Sequence, residues 1–388
     1  MKDSTIYIRP AIVIAAYNRP HSLSRLLSMV LAADYPDDTG VPLVISIDGG
    51  GSEEVVRVAN EFKWPFGDKE VIVHSKNLGL RQHILSCGDL TEKYGAIIML
   101  EDDLGVSKFF YQYTLQALDQ FSSDDEIAGV SLYKHLINVN CGSSFEPMDN
   151  GLGYYYMQFP QSWGQAWTSR QWTGFRQWYE VETNRSKPLD LPKYVDRWPE
   201  SSWLKYFTRY LIDQGKCFVY PMKSLTTNFS DTGTHVCRQD NTYQVPLAEY
   251  CPSLRDVETS QVVYYDAYFE MSESTLRMFT QEFPSSSIIV DLYGIRDLSV
   301  CDADQLLLTV RPCSESVRSY GLRLKPREIN VELNVPGDKI FLTKRKHLVN
   351  MSALEAIERE FSYDKKWLGL KTMIRLLLHV GINRVLGR

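Results

Sequence analysis

The sequence predicts an α/β protein with a mostly parallel sheet flanked by helices. Three observations point to it. Short, unbroken apolar runs alternate with helical repeats over the first hundred or so residues. Each run lacks the in–out alternation of a half-exposed strand, as expected when helices cover both faces of a sheet. Polar and acidic residues gather directly after the runs, at the ends where such sheets bind ligands.

Ala11-Ile12-Val13-Ile14-Ala15-Ala16 reads as the first buried strand, followed by a turn at Asn18-Arg19-Pro20. Leu23, Leu26, Leu27, Val30 and Leu31 then recur at helical spacing, with Ser22 expected to cap the helix. Pro42–Ile47 is a second strand, ending at Asp48 and Gly49-Gly50-Gly51. Ser52, Glu53 and Glu54 open the next helix, where acids suit the positive end of the helix dipole. Val71-Ile72-Val73 is a third strand and Arg81–Leu90 a helix. Ala96-Ile97-Ile98-Met99-Leu100 is a fourth strand that runs straight into Glu101-Asp102-Asp103. Strand–helix alternation implies right-handed crossovers. Tyr17, Asn18, Arg19, Asp48, Asn77 and Glu101 to Asp103 should therefore face one crevice.

Past about residue 250 the pattern changes. Ser287–Leu292, Gln305–Val310 and Glu328–Leu333 read as strands and Val335-Pro336-Gly337-Asp338 as a turn. The expected division is a main domain over 1–250, a smaller C-terminal α+β region over 251–350 and a terminal amphipathic helical tail over 351–388. Trp367, Leu370, Ile374, Leu377 and Leu378 line one side of that tail, and Lys365, Lys366, Lys371, Arg375, Arg384 and Arg388 supply a basic face.

The chain has 388 residues, 44% apolar and 23% charged, and a net charge of -6. That balance fits a globular protein and argues against a surface that tracks nucleic-acid phosphates. Its seven cysteines are scattered without a C-x-x-C pair, which favours free thiols over a zinc site or disulfide framework. The run Ala11–Tyr17 is too short for a secretory signal, and no stretch of about 20 apolar residues spans a bilayer. The expected location is cytoplasmic. The basic tail would dock either on the inner face of an anionic membrane or on a partner or neighbouring domain.

Three consecutive acids at the end of a buried strand suit a divalent cation that bridges carboxylate and diphosphate. Mg²⁺ and Mn²⁺ take oxygen ligands, often only one or two of them protein carboxylates. The alternative is a solvated turn, with Asp103 or Ser107 capping a helix that starts near Lys108.

Taken in order, AIVIAAYNRPHSLSRLL, VISIDGGG, NLGLRQHI, AIIMLEDDLGVS and SWGQAW resemble the GT-A (Rossmann-like) glycosyltransferases over about residues 10–240. The likeness is nearest to the N-acetylglucosaminyltransferase I-like and bacterial family-two-like enzymes. It implies that Asp103 binds the metal, that Asp48 recognises the nucleotide base, and that Arg19 lies near the diphosphate or base. Tyr17, Glu101 and Asp102 would share the nucleotide-sugar site, and Asn77, Gly79 and Arg81 resemble the loop that closes over the nucleotide. Taken alone, Asp48 reads equally as a turn residue, Arg19 as a surface arginine and 77–81 as a helix entry.

Tyr154-Tyr155-Tyr156, Trp163, Trp167, Trp172 and Trp178 make a dense aromatic stretch. Sugar rings stack on aromatic faces, but core packing explains such residues too, and is favoured for Trp172 and Trp178. Trp163-Gly164-x-x-Trp167 resembles the family's segment beside donor sugar and acceptor. The stretch from Tyr220-Pro221 to Asp231-Thr232-Gly233-Thr234-His235 resembles the loop that orders around the diphosphate. His235 is its candidate metal or phosphate contact, with an ordinary surface role as the alternative.

An inverting transfer needs a carboxylate to take the acceptor hydroxyl's proton. In the relatives that acid precedes a tryptophan, but here the stretch reads Pro199-Glu200-Ser201-Ser202-Trp203. Serine stands where the acid is expected, leaving Glu200 and Asp196 as candidates.

The expected activity is metal-dependent transfer, with Mn²⁺ or Mg²⁺, from a nucleotide-sugar, UDP-sugar favoured, to a glycan or lipid-linked acceptor of a bacterial surface polysaccharide. A non-catalytic glycan- or nucleotide-binding protein is the alternative. A sugar nucleotidyltransferase is the lesser one, because Ala16-Tyr17-Asn18-Arg19-Pro20 lacks the glycine-rich basic loop that such enzymes carry after the first strand.

Overall fold

The computed structural model describes residues 9–36, 40–182, 189–232, 241–280 and 283–364. The expected basic tail from Lys365 to Arg388, and with it His235 and Cys237, lies outside the described residues.

In chain order the first elements are β1 (Ala11–Ala16), α1 (Pro20–Leu31), β2 (Leu43–Ile47), α2 (Glu53–Glu61), β3 (Lys69–Val73), α3 (Leu80–Asp89), α4 (Thr91–Tyr94) and β4 (Ala96–Glu101). Next come β5 (Leu104–Val106), α5 (Phe110–Phe121), β6 (Ile127–Ser131), two-residue strands β7 (Ile137–Asn138) and β8 (Ser143–Ser144), β9 (Tyr154–Met157) and β10 (Gln165–Thr168). They are followed by α6 (Ser169–Glu182), α7 (Lys193–Asp196), α8 (Trp203–Gln214), β11 (Cys217–Pro221), β12 (Thr226–Asn228), β13 (Tyr264–Tyr265) and α9 (Glu273–Phe279).

The main sheet has the order β13-β9-β11-β6-β10-β4-β1-β2-β3. Strands β1 to β4 are parallel, with Ile12 opposite Leu43 and Ile98. β10 is inserted antiparallel between β4 and β6, and β9 runs antiparallel to β11. The sheet is mixed and mostly parallel, as the apolar runs predict. All six residues of β1 are buried, because helices cover both sides.

One helical layer carries Leu23, Leu26, Leu27 and Val30 of α1 with Val55 and Ala59 of α2 against Ile12, Ile14, Leu43 and Ile45. Each such side chain contributes about 1.5–3 kcal/mol on burial. The opposite face is aromatic. Trp167 meets Trp172 at 4.7 Å and Phe207 at 6.0 Å, and Phe207 stacks on Phe175 at 4.2 Å.

Winding runs outward from β1 through β2 to β3, then returns to place β4 on the other side of β1. The direction of winding therefore reverses between β1 and β4. Loops leaving the carboxyl ends of neighbouring strands diverge at such a point and open a crevice.

Ser52 caps α2 as expected, accepting the Glu54 amide at 3.2 Å. Ser22 does not cap α1, since Pro20 begins that helix after Arg19 and the Ser22 hydroxyl is used elsewhere. The helix expected near Lys108 starts at Phe110, and Asp103 does not cap it. Ser107 instead receives the Phe109 amide at 3.3 Å and donates to the Ala248 carbonyl at 2.7 Å.

The described residues of Met1–Asn140 and Phe145–Gln281 form one compact unit, and those of Cys141–Ser144 and Glu282–Arg388 another. β13 joins the main sheet beside β9, so that sheet extends beyond residue 250.

The smaller unit holds β14 (Ile288–Asp291), β15 (Leu306–Thr309), β16 (Arg318–Tyr320), α10 (Ile329–Glu332), β17 (Ile340–Lys344) and α11 (Ala353–Asp364). Its sheet order is β14-β15-β17-β16. The expected strands at 287–292 and 305–310 are present. The one expected at Glu328–Leu333 is the short helix α10. Its Asn330 is fully buried, accepts the Arg323 and Leu324 amides and donates to the Leu324 and Arg327 carbonyls. Those bonds hold a tight loop that overrides the alternating Ile329, Val331 and Leu333.

No disulfide joins the described cysteines, and no described helix is long and apolar enough to cross a membrane.

Candidate active site

Three loops meet at the carboxyl ends of β1, β2 and β4. The first leaves β1 at Tyr17, and its backbone is tied to the second through the Ser52 amide, which donates to the Tyr17 carbonyl at 3.2 Å. The Asp48 amide bonds the Ala16 carbonyl at 3.0 Å, and the Asp102 amide bonds the Ala15 carbonyl at 3.1 Å. The turn of each loop is thus fixed by the neighbouring strand.

The glycines after β2 are required by close approach. A Cβ on Gly49 would lie 2.2 Å from the Lys76 backbone, and one on Gly51 would lie 2.1 Å from the Tyr17 carbonyl oxygen. Only hydrogen fits between these chains. The Tyr17 hydroxyl reaches the Gly50 carbonyl at 3.5 Å.

Asp48 is buried and organises the loop before α3. Its Oδ1 accepts the Gly49 amide at 2.8 Å and the Leu78 amide at 2.7 Å, while Oδ2 accepts the Gly79 amide at 3.1 Å. The carboxylate therefore fixes the 77–79 segment, leaving Asn77 exposed and Arg81 half-buried in the first turn of α3.

The acidic trio has three different environments. Glu101 ends β4 half-buried, whereas Asp102 and Asp103 are buried. Arg19 forks between the two aspartates, donating from Nη1 to Asp103 Oδ2 at 2.7 Å and from Nη2 to Asp102 Oδ1. Burial opposes the guanidinium's charge, but the two carboxylates outweigh it and raise its pKa.

Burial pushes Asp102 up to about 6 against the pull of Arg19. It also raises Glu101, helped by the charge of Asp103. Two aspartates facing one guanidinium leave one negative charge unbalanced. Asp103 Oδ1 is also buried without a hydrogen-bond partner. A buried, unpaired carboxylate oxygen is costly unless a positive group meets it.

That orphaned oxygen fits a divalent cation. Among the described residues no cluster of three or more His, Cys, Asp or Glu side chains forms a complete metal cage. One or two carboxylates suffice, however, where phosphates and water complete an octahedral shell.

β12 pairs antiparallel with β5, and the Phe229 amide donates to the Asp103 carbonyl at 3.1 Å. The chain after β12 thereby lies beside the acids. Because β10 runs antiparallel to β4, Trp163 and Gly164 enter it at the acidic end of the sheet. Gly164 has φ +100°, and a Cβ there would strike Thr226 Cγ2 at 2.6 Å.

Trp163 is half-buried, 4.5 Å from the Tyr243 ring and 4.8 Å from that of Tyr133. Trp167 departs from the expected sugar pocket. It is fully buried and surrounded by Trp172, Trp203 and Phe207, which leaves no ring face for a ligand.

Glu200 is exposed ahead of α8, 2.9 Å from Lys205 Nζ and hydrogen-bonded by the Tyr206 hydroxyl. Those bonds, from Tyr206 first, hold its carboxyl below the usual range. The Arg81 guanidinium sits 5.1 Å from the Tyr206 ring centre, so Glu200 shares an edge with the loop fixed by Asp48. Asp196 is exposed on α7. Ser202 caps α8, accepting the Lys205 amide at 3.4 Å.

The pairing of Tyr206 with Arg81, the seating of Tyr243 on Trp163 and the bonds from Ser22 and Arg25 to Asp231 carry no sequence signal. Each is a contact between segments far apart in the chain.

No family model and no curated protein matches the sequence. Among solved structures the chain is similar to S. aureus TarS 1-349 in complex with UDP-GlcNAc, at 12% identity and TM-score 0.38, over 58% of this chain and 60% of that one. It is similar to the mannosyltransferase PcManGT from Pyrobaculum calidifontis, in complex with GDP-Man and Mn²⁺, at 14% identity and TM-score 0.33, over 56% of each chain. It is also similar to GalNAc-T7 with UDP, GalNAc and Mn²⁺, at 14% identity and TM-score 0.37, over 56% of this chain and 43% of that one. The chain spans less than two thirds of the length of each. The similarity is to GT-A glycosyltransferases and is one of fold. What the site can do follows from its own geometry.

Proposed function

We propose that the chain is a metal-dependent, inverting glycosyltransferase that moves a sugar from a nucleotide-sugar, preferably a UDP-sugar, to a glycan or lipid-linked acceptor. The single observation that carries this reading is the buried, unpartnered Oδ1 of Asp103 beside an Arg19 already shared between Asp102 and Asp103. A Mn²⁺ or Mg²⁺ ion held by Asp103 would supply the positive charge that a departing diphosphate needs.

In this reading Arg19 faces the diphosphate from the opposite side. Asp102 keeps the guanidinium in place while Asp103 is engaged elsewhere. Asp48 shapes the base-binding loop through the Leu78 and Gly79 amides, with Tyr17 and Asn77 on its rim and Arg81 behind it. Trp163 and Gly164 border the sugar.

Glu200 is the favoured base. The Tyr206 hydroxyl holds it at the edge that Arg81 occupies. Asp196 is the second candidate. His235 is retained as a metal or phosphate contact. The main unit would carry the transferase site, with the acceptor belonging to surface-polysaccharide synthesis in a bacterial cytoplasm. The tail beyond residue 364 would provide peripheral membrane contact.

Titration with UDP, UDP-GlcNAc and GDP-mannose, with and without Mn²⁺, tests the proposal. The expected result is binding that requires the metal and is lost in Asp103→Asn. Equal binding by both proteins, or none by the native chain, sinks it.

One observation favours a second reading. Serine stands where the family's catalytic acid is expected, and Ser202 is occupied as a helix cap. A nucleotide- or glycan-binding protein without transfer activity would bind in the same titration yet release no nucleotide from any donor–acceptor pair.

A further inference from the structure

Asp231 follows β12 and reaches α1. The Ser22 hydroxyl donates to its Oδ2 at 2.7 Å, and the Arg25 guanidinium pairs with the same carboxylate. Arg25 also lies over the Phe229 ring, 3.8 Å from its centre. Phe229 is held in turn from below: its amide bonds the Asp103 carbonyl, and its ring abuts Gly105, where a Cβ would lie 2.7 Å from Cε2. Asn228 Oδ1 bonds both the amide and the hydroxyl of Ser230, a residue at φ +50°, and so sets the turn that presents Asp231.

The first two turns of α1 therefore carry two sets of bonds. Arg19, immediately before the helix, holds Asp102 and Asp103. Ser22 and Arg25, three and six positions later, hold Asp231. Phe229 closes the circuit by bonding the backbone of Asp103. Core burial does not explain the Arg25–Asp231 pair, since Arg25 is partly exposed. Nor does any of them occupy the unpartnered oxygen of Asp103.

We propose that Asp231 is a positioning residue. Through Ser22 and Arg25 it clamps α1 against the segment after β12, and this sets the placement of Arg19 relative to Asp103. The clamp rests on the reading of those residues as a metal–diphosphate anchor. Without the carboxylate, the α1 end and the β12 end of the circuit separate, and the guanidinium no longer meets both aspartates in one orientation. Outer partners of this kind typically change metal affinity by about 10- to 100-fold when removed.

The test uses the full chain with Asp231→Ala, Arg25→Met, the double variant, and Asp231→Asn as the conservative one. Affinity for UDP with Mn²⁺ is measured by calorimetry, and backbone exchange at Phe229 by hydrogen–deuterium exchange. We expect Asp231→Ala to weaken Mn²⁺-dependent UDP binding about tenfold or more, with partial recovery in Asp231→Asn. The double variant should be no worse than the poorer single one, because both remove the same contact.

Phe229 exchange should rise in Asp231→Ala while exchange in the α6–α8 core stays level. Affinity within twofold of native, or full additivity of the two substitutions, overturns the clamp. If the native chain binds no nucleotide at all, the anchor reading fails instead. The clamp is then judged on Phe229 exchange alone, and unchanged exchange overturns it.

Discussion

Arg19 and Asp103 meet at 2.7 Å although 84 positions separate them in the chain. Their contact exists because β1 and β4 lie side by side and parallel, with Ala15 opposite Glu101. Replacing Asp103 with Asn keeps an acceptor for Arg19 but removes the charge. The expected outcome is loss of Mn²⁺-dependent nucleotide binding by 10-fold or more, with a melting temperature close to native, read by calorimetry and thermal denaturation.

Asp48 satisfies three amides at once. Asp48→Ala strands the Leu78 and Gly79 amides and should cost about 2–6 kcal/mol, since each unsatisfied buried donor costs roughly 1–3 kcal/mol. Denaturant unfolding measures it. Asp48→Asn, which keeps one acceptor oxygen, should fall between the two.

The aromatic stretch separates into two roles that substitution can tell apart. Trp167→Ala opens a cavity in the α6–α8 layer and should lower stability by about 3–5 kcal/mol. Trp163→Ala removes a half-buried ring and should change turnover or donor choice far more than stability. Parallel unfolding and activity measurements check both.

Two buried histidines set the acid limit. Burial holds His83 near about 4 and His135 near about 3, so both are neutral in the folded protein. In the unfolded chain each takes up a proton near pH 6.5. Their stabilising effect is therefore complete above that pH and lost as the pH falls towards 4. With both contributing, stability should drop by up to about 2.7 kcal/mol per pH unit in that range. His83→Gln should roughly halve the slope in unfolding measured from pH 7 to pH 4.5.

Much of this was legible in the sequence because it is local. Apolar runs without alternation identify β1, β2 and β4. Ser52 with two following acids identifies the start of α2, and the abrupt change from Leu100 to Glu101 marks the edge of the core.

What escaped depends on three-dimensional neighbours. Ser22 looks like a helix cap until Asp231 appears beside it. Trp167 looks like Trp163 until it proves to lie within β10 against Trp172 and Phe207, while Trp163 stands before the strand, ahead of the Gly164 turn. Glu328–Leu333 has the alternation of a strand, yet Asn330 has four bonds available only in a tight loop. The boundary near residue 250 reflects a change of composition, whereas Tyr264 and Tyr265 still add a strand to the main sheet.

The reversal of winding between β1 and β4 has a consequence for how the protein is made. A nascent chain that ends after Lys108 contains every acid of the cluster and also Arg19, but lacks Phe229, β10 and β12. Its carboxylates meet their counterion only once β4 has threaded back past β1. They gain their backing only when more than a hundred further residues have been synthesised and docked. Ligand capture should therefore be among the last properties to emerge during synthesis, and a truncated product would accumulate without it.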